Sequence, residues 1–141
     1  MSDSVYLDTS FIYALIDQGD PGYRDAAALY SEYEGAFTLS SYVFVETMSL
    51  ITKRFGKHQA MAAGSWIERS KRTSILHPDA DEFRRAWTLF LERPDSAFDV
   101  VDALSFIVMG NSGIETAFTL DRHFAQMGFR VLPGGDGRRQ K

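Results

Sequence analysis

The chain contains no cysteine, so disulfide bonds and thiolate metal sites are excluded. It also contains no apolar run that approaches the roughly 20 residues of a membrane-spanning helix. Its first residues lack the basic leader and long apolar segment of a signal peptide. Glycine-rich phosphate-binding loops and the G-x-S-x-G motif are absent too, which argues against a nucleotide-binding protein or a serine hydrolase. We therefore expect a soluble cytoplasmic protein.

An excess of positive charge is also missing, since the formal net charge is -4 at pH 7. This argues against broad electrostatic affinity for nucleic acid. It does not exclude a nuclease, because a few basic side chains and a metal ion can hold a substrate locally. We interpret three basic groups as solvated helix ends or a loose tail: Lys53, Arg54 and Lys57; Arg69, Lys71 and Arg72; and Arg138, Arg139 and Lys141.

Core-forming residues are abundant, with 45% hydrophobic residues and eleven Phe in 141 residues, which fits one packed domain. Short β-favouring segments alternate with helical ones. This alternation predicts an α/β fold, a parallel sheet of four to five short strands with helices on both faces. We expect the domain to span residues 1–133 and residues 134–141 to form a disordered tail. The predicted strands are 4–7, 36–39, 73–76, 116–120 and 129–132.

Helical patterns fill most of the remaining chain. Thr9 or Ser10 is predicted to cap a helix that ends near Ile16, and Ser40 or Ser41 to cap one that ends at Gly56. The second of these helices is apolar on nearly all sides, so we expect it to be buried. The other predicted helices are 23–34, 57–70, 79–92, 99–109 and 121–127.

Four carboxylates stand where apolar segments meet a turn or a helix: Asp8, Glu46, Asp102 and Asp121. Asp8 and Asp121 end strands, and sites in α/β sheets form beyond the carboxyl ends of strands. The helices that carry the other two could reach the same edge. Like charges resist joint ionisation at short range, and a hard divalent cation would neutralise them. The set therefore suggests metal chemistry.

Each acid also has a local explanation. Helix capping explains Thr9 or Ser10 but leaves Asp8 unexplained, and Glu46 alone is common on a solvated helix face. For Asp121, the role of helix N-cap is as consistent with the sequence as a role in the site. Asp99 and Asp102 share the first turn of a helix, where the helix dipole favours carboxylates. We favour Asp102 over Asp99 as the functional acid, because the apolar run after Asp102 predicts that its side chain points into a crowded interior.

The neighbouring polar residues are weaker signals. Thr119 should point to the same side of its strand as Asp121, where its hydroxyl could orient a carboxylate or a metal-bound water. The histidines, His58, His77 and His123, lack the spacing of zinc sites. His123 is close to Asp121, but a surface histidine is the simpler interpretation.

The ordered set of acids resembles that of the PIN-domain ribonucleases, particularly the VapC-type toxins of toxin–antitoxin pairs. The resemblance runs from VYLDTSFIYAL through SSYVFVETMSLI to FDVVDALSFIVMGNSGIETAFTLDRHFAQMGF and covers nearly the whole chain. The last block is specific, with its D-A-x-S-F-x-V-M run and T-x-D-R-H-F ending. The DTS motif alone would be weak evidence for the resemblance.

The resemblance assigns four residues to an acidic catalytic metal site: Asp8, Glu46, Asp102 and Asp121. It implies that Ser10 and Thr119 support this site and that Arg122 and His123 contact RNA phosphates. The family often has a small hydroxyl residue three places before the third acid, where this chain has Asp99. Whether Asp99 adds a fifth carboxylate or faces solvent stays open.

The implied activity is hydrolysis of RNA by a metal-dependent endoribonuclease, the toxin of a toxin–antitoxin pair. Carboxylates suit Mg²⁺ or Mn²⁺, as one or two ions. Asp8, Asp102 and Asp121 would bind metal directly or through water, and Glu46 through a metal-bound water or by orienting the attacking water. The resemblance also implies an RNA substrate, a small antitoxin partner and a homodimer.

Two other functions remain as alternatives. A PIN-like domain could bind RNA or protein without cutting, although a binding domain has little reason to keep a repulsive acidic cluster. A metal-dependent phosphatase is less favoured, because the D-x-D-x-[TV] start of aspartyl-phosphate phosphatases is missing after Asp8.

Overall fold

The computed structural model describes residues 4–134. Of the tail predicted at 134–141, only Gly134 falls within this range, so the prediction of disorder lies outside the described residues. The strands β1 to β5, in chain order, are Val5–Leu7, Phe37–Ser40, Thr73–Leu76, Thr116–Thr119 and Arg130–Pro133. The helices α1 to α7 are Thr9–Ile16, Tyr23–Glu32, Ser41–Phe55, Lys57–Arg69, Ala80–Glu92, Val100–Ser112 and His123–Gln126.

The five strands form one sheet in the order β3-β2-β1-β4-β5, and every neighbouring pair is parallel. Helices surround this sheet, so the predicted α/β class and parallel sheet are confirmed. The chain builds outward from β1 through β2 to β3, then returns to the other side of β1 for β4 and β5. The direction of winding therefore reverses between β1 and β4, which is where α/β sheets form their binding crevice.

The three central strands, β2, β1 and β4, are buried on both faces, as expected for a parallel sheet covered by helices. Phe37 and Phe118, on β2 and β4, contact aromatic side chains of α1 and α2. Tyr6, on β1, is fully buried and lies near Phe124 of α7. Alternation along the short strands thus supplies apolar side chains to two helical layers.

The capping prediction for α1 is wrong, whereas the one for α3 is correct. Asp8 occupies the N-cap position of α1 without a side-chain cap, and Thr9 is already helical. The hydroxyls of Thr9 and Ser10 are engaged elsewhere, because they turn toward acidic side chains. Ser40 caps α3 by accepting a hydrogen bond from the Val43 N–H. The predicted start of α7 at Asp121 is also early, since that helix begins at His123.

The expectation that α3 is buried on nearly all sides is wrong. Val45 is 61% exposed and Tyr42 is 40% exposed. The helix packs closely on α4, where Gly64 leaves room for the Met48 side chain, and it also contacts α1. It also contacts α6, but the side that carries Val45 stays open to solvent.

The three groups of basic residues are not all solvated helix ends or tails. Arg72 donates hydrogen bonds to the Tyr33 and Gly35 carbonyls and lies 4.8 Å over the Phe37 ring, so it serves the packing of this region. The third group, at 138–141, is outside the described residues. None of the helices in residues 4–134 is long and apolar enough to cross a membrane.

Candidate metal centre

A cleft of about 310 Å³ opens beyond the carboxyl ends of β1 and β4. Its lining residues are Asp8, Thr9, Ser10, Glu46, Leu50, Asp99, Asp102 and Asp121. The structure therefore brings the four predicted acids together from four separate segments of the chain. The cleft coincides with the reversal of winding in the sheet, as the strand-end argument predicts.

Asp8 is buried at the base of the cleft, and two hydroxyls hold one of its oxygens. Oδ2 accepts hydrogen bonds from Ser10 Oγ and Thr119 Oγ1, both at 2.8 Å. Each hydroxyl is itself fixed by a backbone N–H, that of Leu120 for Ser10 and that of Asp121 for Thr119. Ser10 and Thr119 thus lie where a supporting role requires them. Oδ1 of Asp8 carries none of these bonds.

The setting of Asp8 opposes ionisation. Burial is the main cause that raises its pKa to about 6, and the charges of Asp121 and Glu46 contribute to this rise. The hydrogen bonds from Thr119 and Ser10 act in the opposite direction, because they stabilise the carboxylate. Two hydroxyls therefore stabilise the carboxylate form of Asp8, but no positively charged side chain within residues 4–134 forms an ion pair with it.

Glu46 projects from α3 and is held by a threonine that sequence analysis treated only as a capping residue. Thr9 Oγ1 donates to Glu46 Oε1 at 2.7 Å, and Thr47 Oγ1 donates to Thr9 Oγ1 at 3.3 Å. Burial raises the pKa of Glu46, with a contribution from the charge of Asp99. Thr9 is thus a positioning residue that the DTS motif contained but did not identify.

Asp99 and Asp102 stand at the start of α6 and cap each other. Asp99 Oδ1 accepts from the Asp102 N–H at 2.9 Å, and Asp102 Oδ2 accepts from the Asp99 N–H at 3.1 Å. The Asp102 side chain is turned inward and is 14% exposed, and it faces the cleft rather than a closed apolar interior. Asp99 also lines the cleft and serves as the N-cap of α6.

Asp102 has a pKa that is raised further from its usual value than that of Asp8. Burial is the main cause that raises its pKa to about 8, and the charges of Asp8 and Asp99 contribute to this rise. Without a cation, this setting therefore favours the protonated form of the Asp102 carboxyl. A bound cation would remove that penalty and displace the proton.

Asp121 follows β4, and His123 lies against it. Asp121 Oδ1 accepts from the His123 N–H at 2.8 Å, which starts the turn that leads into α7. His123 Nδ1 lies 2.8 Å from Asp121 Oδ1 and 3.6 Å from Asp102 Oδ2. His123 is therefore turned toward two acids of the cleft and is 20% exposed, which differs from the simpler interpretation of a surface histidine. Arg122 is exposed.

A buried polar pair lies beneath the acids. Tyr6 Oη is 2.8 Å from Ser105 Oγ, and both residues are fully buried. Ser40 is close enough to lower the pKa of Tyr6, as Ser105 does, but burial outweighs both and raises it to about 12. Because Ser40 caps α3 and Ser105 is on α6, this phenol links β1 to the two helices that carry Glu46 and Asp102. This link could not be predicted, because nothing in the local sequence distinguishes Tyr6 from any other core aromatic residue.

The donor set fits a hard divalent cation. In residues 4–134, no Lys or Arg forms an ion pair with the cleft acids, and only His123 does so. The donors are carboxylate oxygens with neighbouring hydroxyls, which suit Mg²⁺ or Mn²⁺. Buried carboxylates without a compensating charge are costly, so a cation would relieve the repulsion among them.

Comparisons with known proteins agree with this geometry. A family model described as the PIN domain matches residues 5–130. The 23S rRNA-specific endonuclease VapC20 of Mycobacterium tuberculosis is 33% identical over 125 residues, which covers 89% of this chain and 95% of that protein.

Solved structures show the same fold. The crystal structure of Mycobacterium tuberculosis VapC20, described as a Sarcin-Ricin loop cleaving toxin, matches with a TM-score of 0.83 at 32% identity, over 89% of this chain and 95% of that chain. A toxin–antitoxin complex from Klebsiella pneumoniae matches with a TM-score of 0.65 at 18% identity, over 92% of this chain and 96% of that chain. The second likeness concerns the fold alone.

Proposed function

Since the chain belongs to the PIN domain family, we propose that it is a metal-dependent endoribonuclease and the toxin of a type II toxin–antitoxin system. The observation that carries the proposal is the convergence of Asp8, Glu46, Asp102 and Asp121 on one cleft without a Lys or Arg partner among the described residues. A relative that is 33% identical over nearly its whole length is named as a 23S rRNA-specific endonuclease. Ribosomal RNA is therefore the first substrate to test.

Mg²⁺ or Mn²⁺, as one or two ions, is the proposed cofactor. Asp8, Asp102 and Asp121 would hold it, and Glu46 would act through a metal-bound water. When bound, such an ion polarises the scissile phosphate and makes a coordinated water more acidic. The carboxylates also exclude a phosphate that arrives without a cation, because both are negatively charged.

The hydrogen bonds around the cleft indicate which role each residue would have in the reaction. Ser10 and Thr119 hold Asp8 Oδ2 and leave Oδ1 for the metal. Thr9 holds Glu46 Oε1, which leaves Oε2 to orient the attacking water. Arg122 is exposed after β4, where we propose that it contacts an RNA phosphate. The result is hydrolysis by in-line attack of water, without a covalent intermediate.

The decisive experiment is cleavage of ribosomal RNA with Mg²⁺ or Mn²⁺ by the parent, Asp8→Asn and Asp102→Asn. We expect cleavage by the parent and a loss of at least about a hundredfold in each variant, as is typical when a group that stabilises transition-state charge is removed. Glu68→Gln is the matched control, since Glu68 is an exposed acid outside the cleft.

Equal activity in all four proteins would remove the catalytic proposal. If the parent cuts no RNA across varied substrates and metals but binds RNA, the chain is a binding domain without nuclease activity. A rise of the melting temperature with Mn²⁺ that depends on Asp8 would count against that alternative, because ligand binding to the native state stabilises it.

We further propose a small antitoxin partner, a homodimer and a cytoplasmic location. An exposed apolar surface on α3 and α5 supports a protein partner, because large exposed apolar surfaces often mark interfaces. Its members are Tyr42, Val45, Phe83 and Trp87, which are 40%, 61%, 51% and 46% exposed. Sedimentation of the parent and of Trp87→Asp tests the dimer, and a concentration-independent monomer in both would contradict it.

A further inference from the structure

His123 has an orientation that an RNA contact does not require. Its side chain is 20% exposed, and its Nδ1 faces three carboxylate oxygens. The distances are 2.8 Å and 3.0 Å to the two oxygens of Asp121 and 3.6 Å to Oδ2 of Asp102. A phosphate approaching this nitrogen would also approach both acids. The ring therefore faces the position of a cation rather than that of an unaccompanied anion.

The spacing of these atoms resembles that of ligands around one ion. One ligand atom from each of Asp102, Asp121 and His123 can be chosen so that all lie within 4.8 Å of one another. In an octahedral site with bonds of about 2.1 Å, adjacent ligand atoms are separated by about 3 Å. The distances from His123 Nδ1 to the carboxylate oxygens, 2.8 to 3.6 Å, bracket this value.

The position of His123 is fixed by the packing behind it. Phe124, the next residue, is fully buried, and its ring centroid lies 5.0 Å from that of Phe106 on α6. The His123 backbone N–H is bound to Asp121. The ring is thus held beside the acids by a core anchor on one side and a backbone hydrogen bond on the other, which is how a ligand is preorganised.

On the basis of the metal-dependent nuclease proposed above, we propose that His123 supplies a nitrogen ligand to a divalent ion shared with Asp102 and Asp121. Mg²⁺ strongly prefers oxygen ligands, whereas imidazole nitrogen suits first-row transition ions. His123 therefore biases this position toward an ion such as Mn²⁺ in preference to Mg²⁺. The competing explanation is a ring hydrogen bond that orients Asp121 without touching metal.

Electron paramagnetic resonance of the Mn²⁺-loaded full chain separates the two explanations. Electron spin echo modulation detects a nitrogen bound directly to Mn²⁺. We expect nitrogen coupling in the parent and its loss in His123→Gln. The control is the double variant His58→Gln with His77→Gln, which removes the other two histidines of the chain and should keep the coupling.

Metal affinity gives a second readout that does not depend on activity. We expect His123→Gln to weaken Mn²⁺ binding by about tenfold or more, in the range of changes near metal sites, and to affect Mg²⁺ less. His123→Asp replaces nitrogen with an oxygen donor, so it should bind Mn²⁺ without nitrogen coupling and lose the preference over Mg²⁺. Retained coupling in either variant would overturn the assignment.

The failure of this inference differs from the failure of the proposed function. A parent that binds Mn²⁺ through Asp8 and cuts RNA, but shows no nitrogen coupling, overturns the ligand role of His123 and leaves the nuclease intact. A parent that binds no Mn²⁺ and cuts no RNA removes both.

Discussion

Asp99 and Asp102 each accept a hydrogen bond from the backbone N–H of the other, at 2.9 Å and 3.1 Å, across the first turn of α6. This reciprocal pairing fixes the Asp102 side chain at the cleft while satisfying two amides at the start of the helix. It also explains the acid at a position where the resembled family often has a hydroxyl residue, because Asp, Ser and Thr all serve as N-caps.

The first prediction concerns Asp99. Asp99→Ser should keep the cap and leave the free energy of unfolding within about 0.5 kcal/mol of the parent, whereas Asp99→Ala should lose about 1 kcal/mol. Urea unfolding at pH 7 measures both. If Asp99 were instead an essential metal ligand, the serine variant would stay folded but lose most of its Mn²⁺ affinity.

The second prediction concerns the pH dependence of the metal-free protein. The pKa of Asp102 is raised to about 8 in the fold, compared with about 3.9 in an unfolded chain. The native state therefore binds more protons, so this group lowers stability as pH rises from about 4 to about 8. Asp102→Asn removes the titration and should unfold at a higher urea concentration than the parent at pH 8.

The advantage of Asp102→Asn should shrink as pH is lowered to 5, because the parent carboxyl is then largely protonated in the native state. Glu68→Gln serves as the control for loss of an exposed charge. A stability difference that is the same at pH 5 and pH 8 would contradict the assignment. Saturating Mn²⁺ should reverse the order at pH 8, since metal binds the ionised carboxylate.

The third prediction concerns Thr119. Its hydroxyl donates to Asp8 at 2.8 Å and lowers the pKa of that carboxyl. Thr119→Val removes a hydrogen bond to a charged group, worth about 1.5–3 kcal/mol, so the pKa of Asp8 should rise above its present value. Mn²⁺ binding at pH 6.5 should weaken and recover as pH is raised, since ionisation of Asp8 then becomes complete.

Thr38→Val provides the matched control for Thr119→Val. Thr38 is also buried in the sheet, but its hydroxyl pairs with Ser4 at 2.6 Å rather than with an acid of the cleft. Its replacement should change stability without shifting the pH dependence of Mn²⁺ binding. The same shift in both variants would show that the effect is a general loosening of the sheet.

The fourth prediction concerns Tyr6 and Ser105. Tyr6→Phe leaves the buried Ser105 hydroxyl without its partner, which should cost about 1–3 kcal/mol of unfolding free energy. Adding Ser105→Ala should cost less than the sum of the two single changes, because both hydroxyls are then gone. Urea unfolding of the four proteins of this cycle measures the coupling, and strict additivity would contradict it.

Sequence patterns predicted the strands well, because short β-favouring segments here end at turn-forming residues. The predicted segment at 73–76 coincides with β3, and each of the others differs by one residue at one or both ends. The helix α3 was less predictable. Its composition indicated burial on all sides, but the fold supplies no helix to cover Val45. Composition indicates which side chains could be buried. Whether another helix packs over them depends on how elements distant in the sequence are arranged.

The site was predictable in its acids but not in their contacts. Asp8 and Asp121 follow strands, and parallel strands end at one edge, so their convergence follows from local pattern plus general topology. The partner of Thr9 could not be predicted. Its hydroxyl looked like a cap, yet it holds Glu46 from 37 positions away, and local sequence has no information on that distance.

The sequence by itself determined the alternation of strands and helices and the four acids at their ends, since these depend on propensity, periodicity and local turn chemistry. Only the tertiary structure decided which hydroxyl holds which carboxylate, as when Thr119 reaches Asp8 across 111 positions. It also decided that His123 turns inward. The physical reason is that hydrogen bonds and electrostatic forces act over a few ångströms, and only the folded sheet brings these residues within that range.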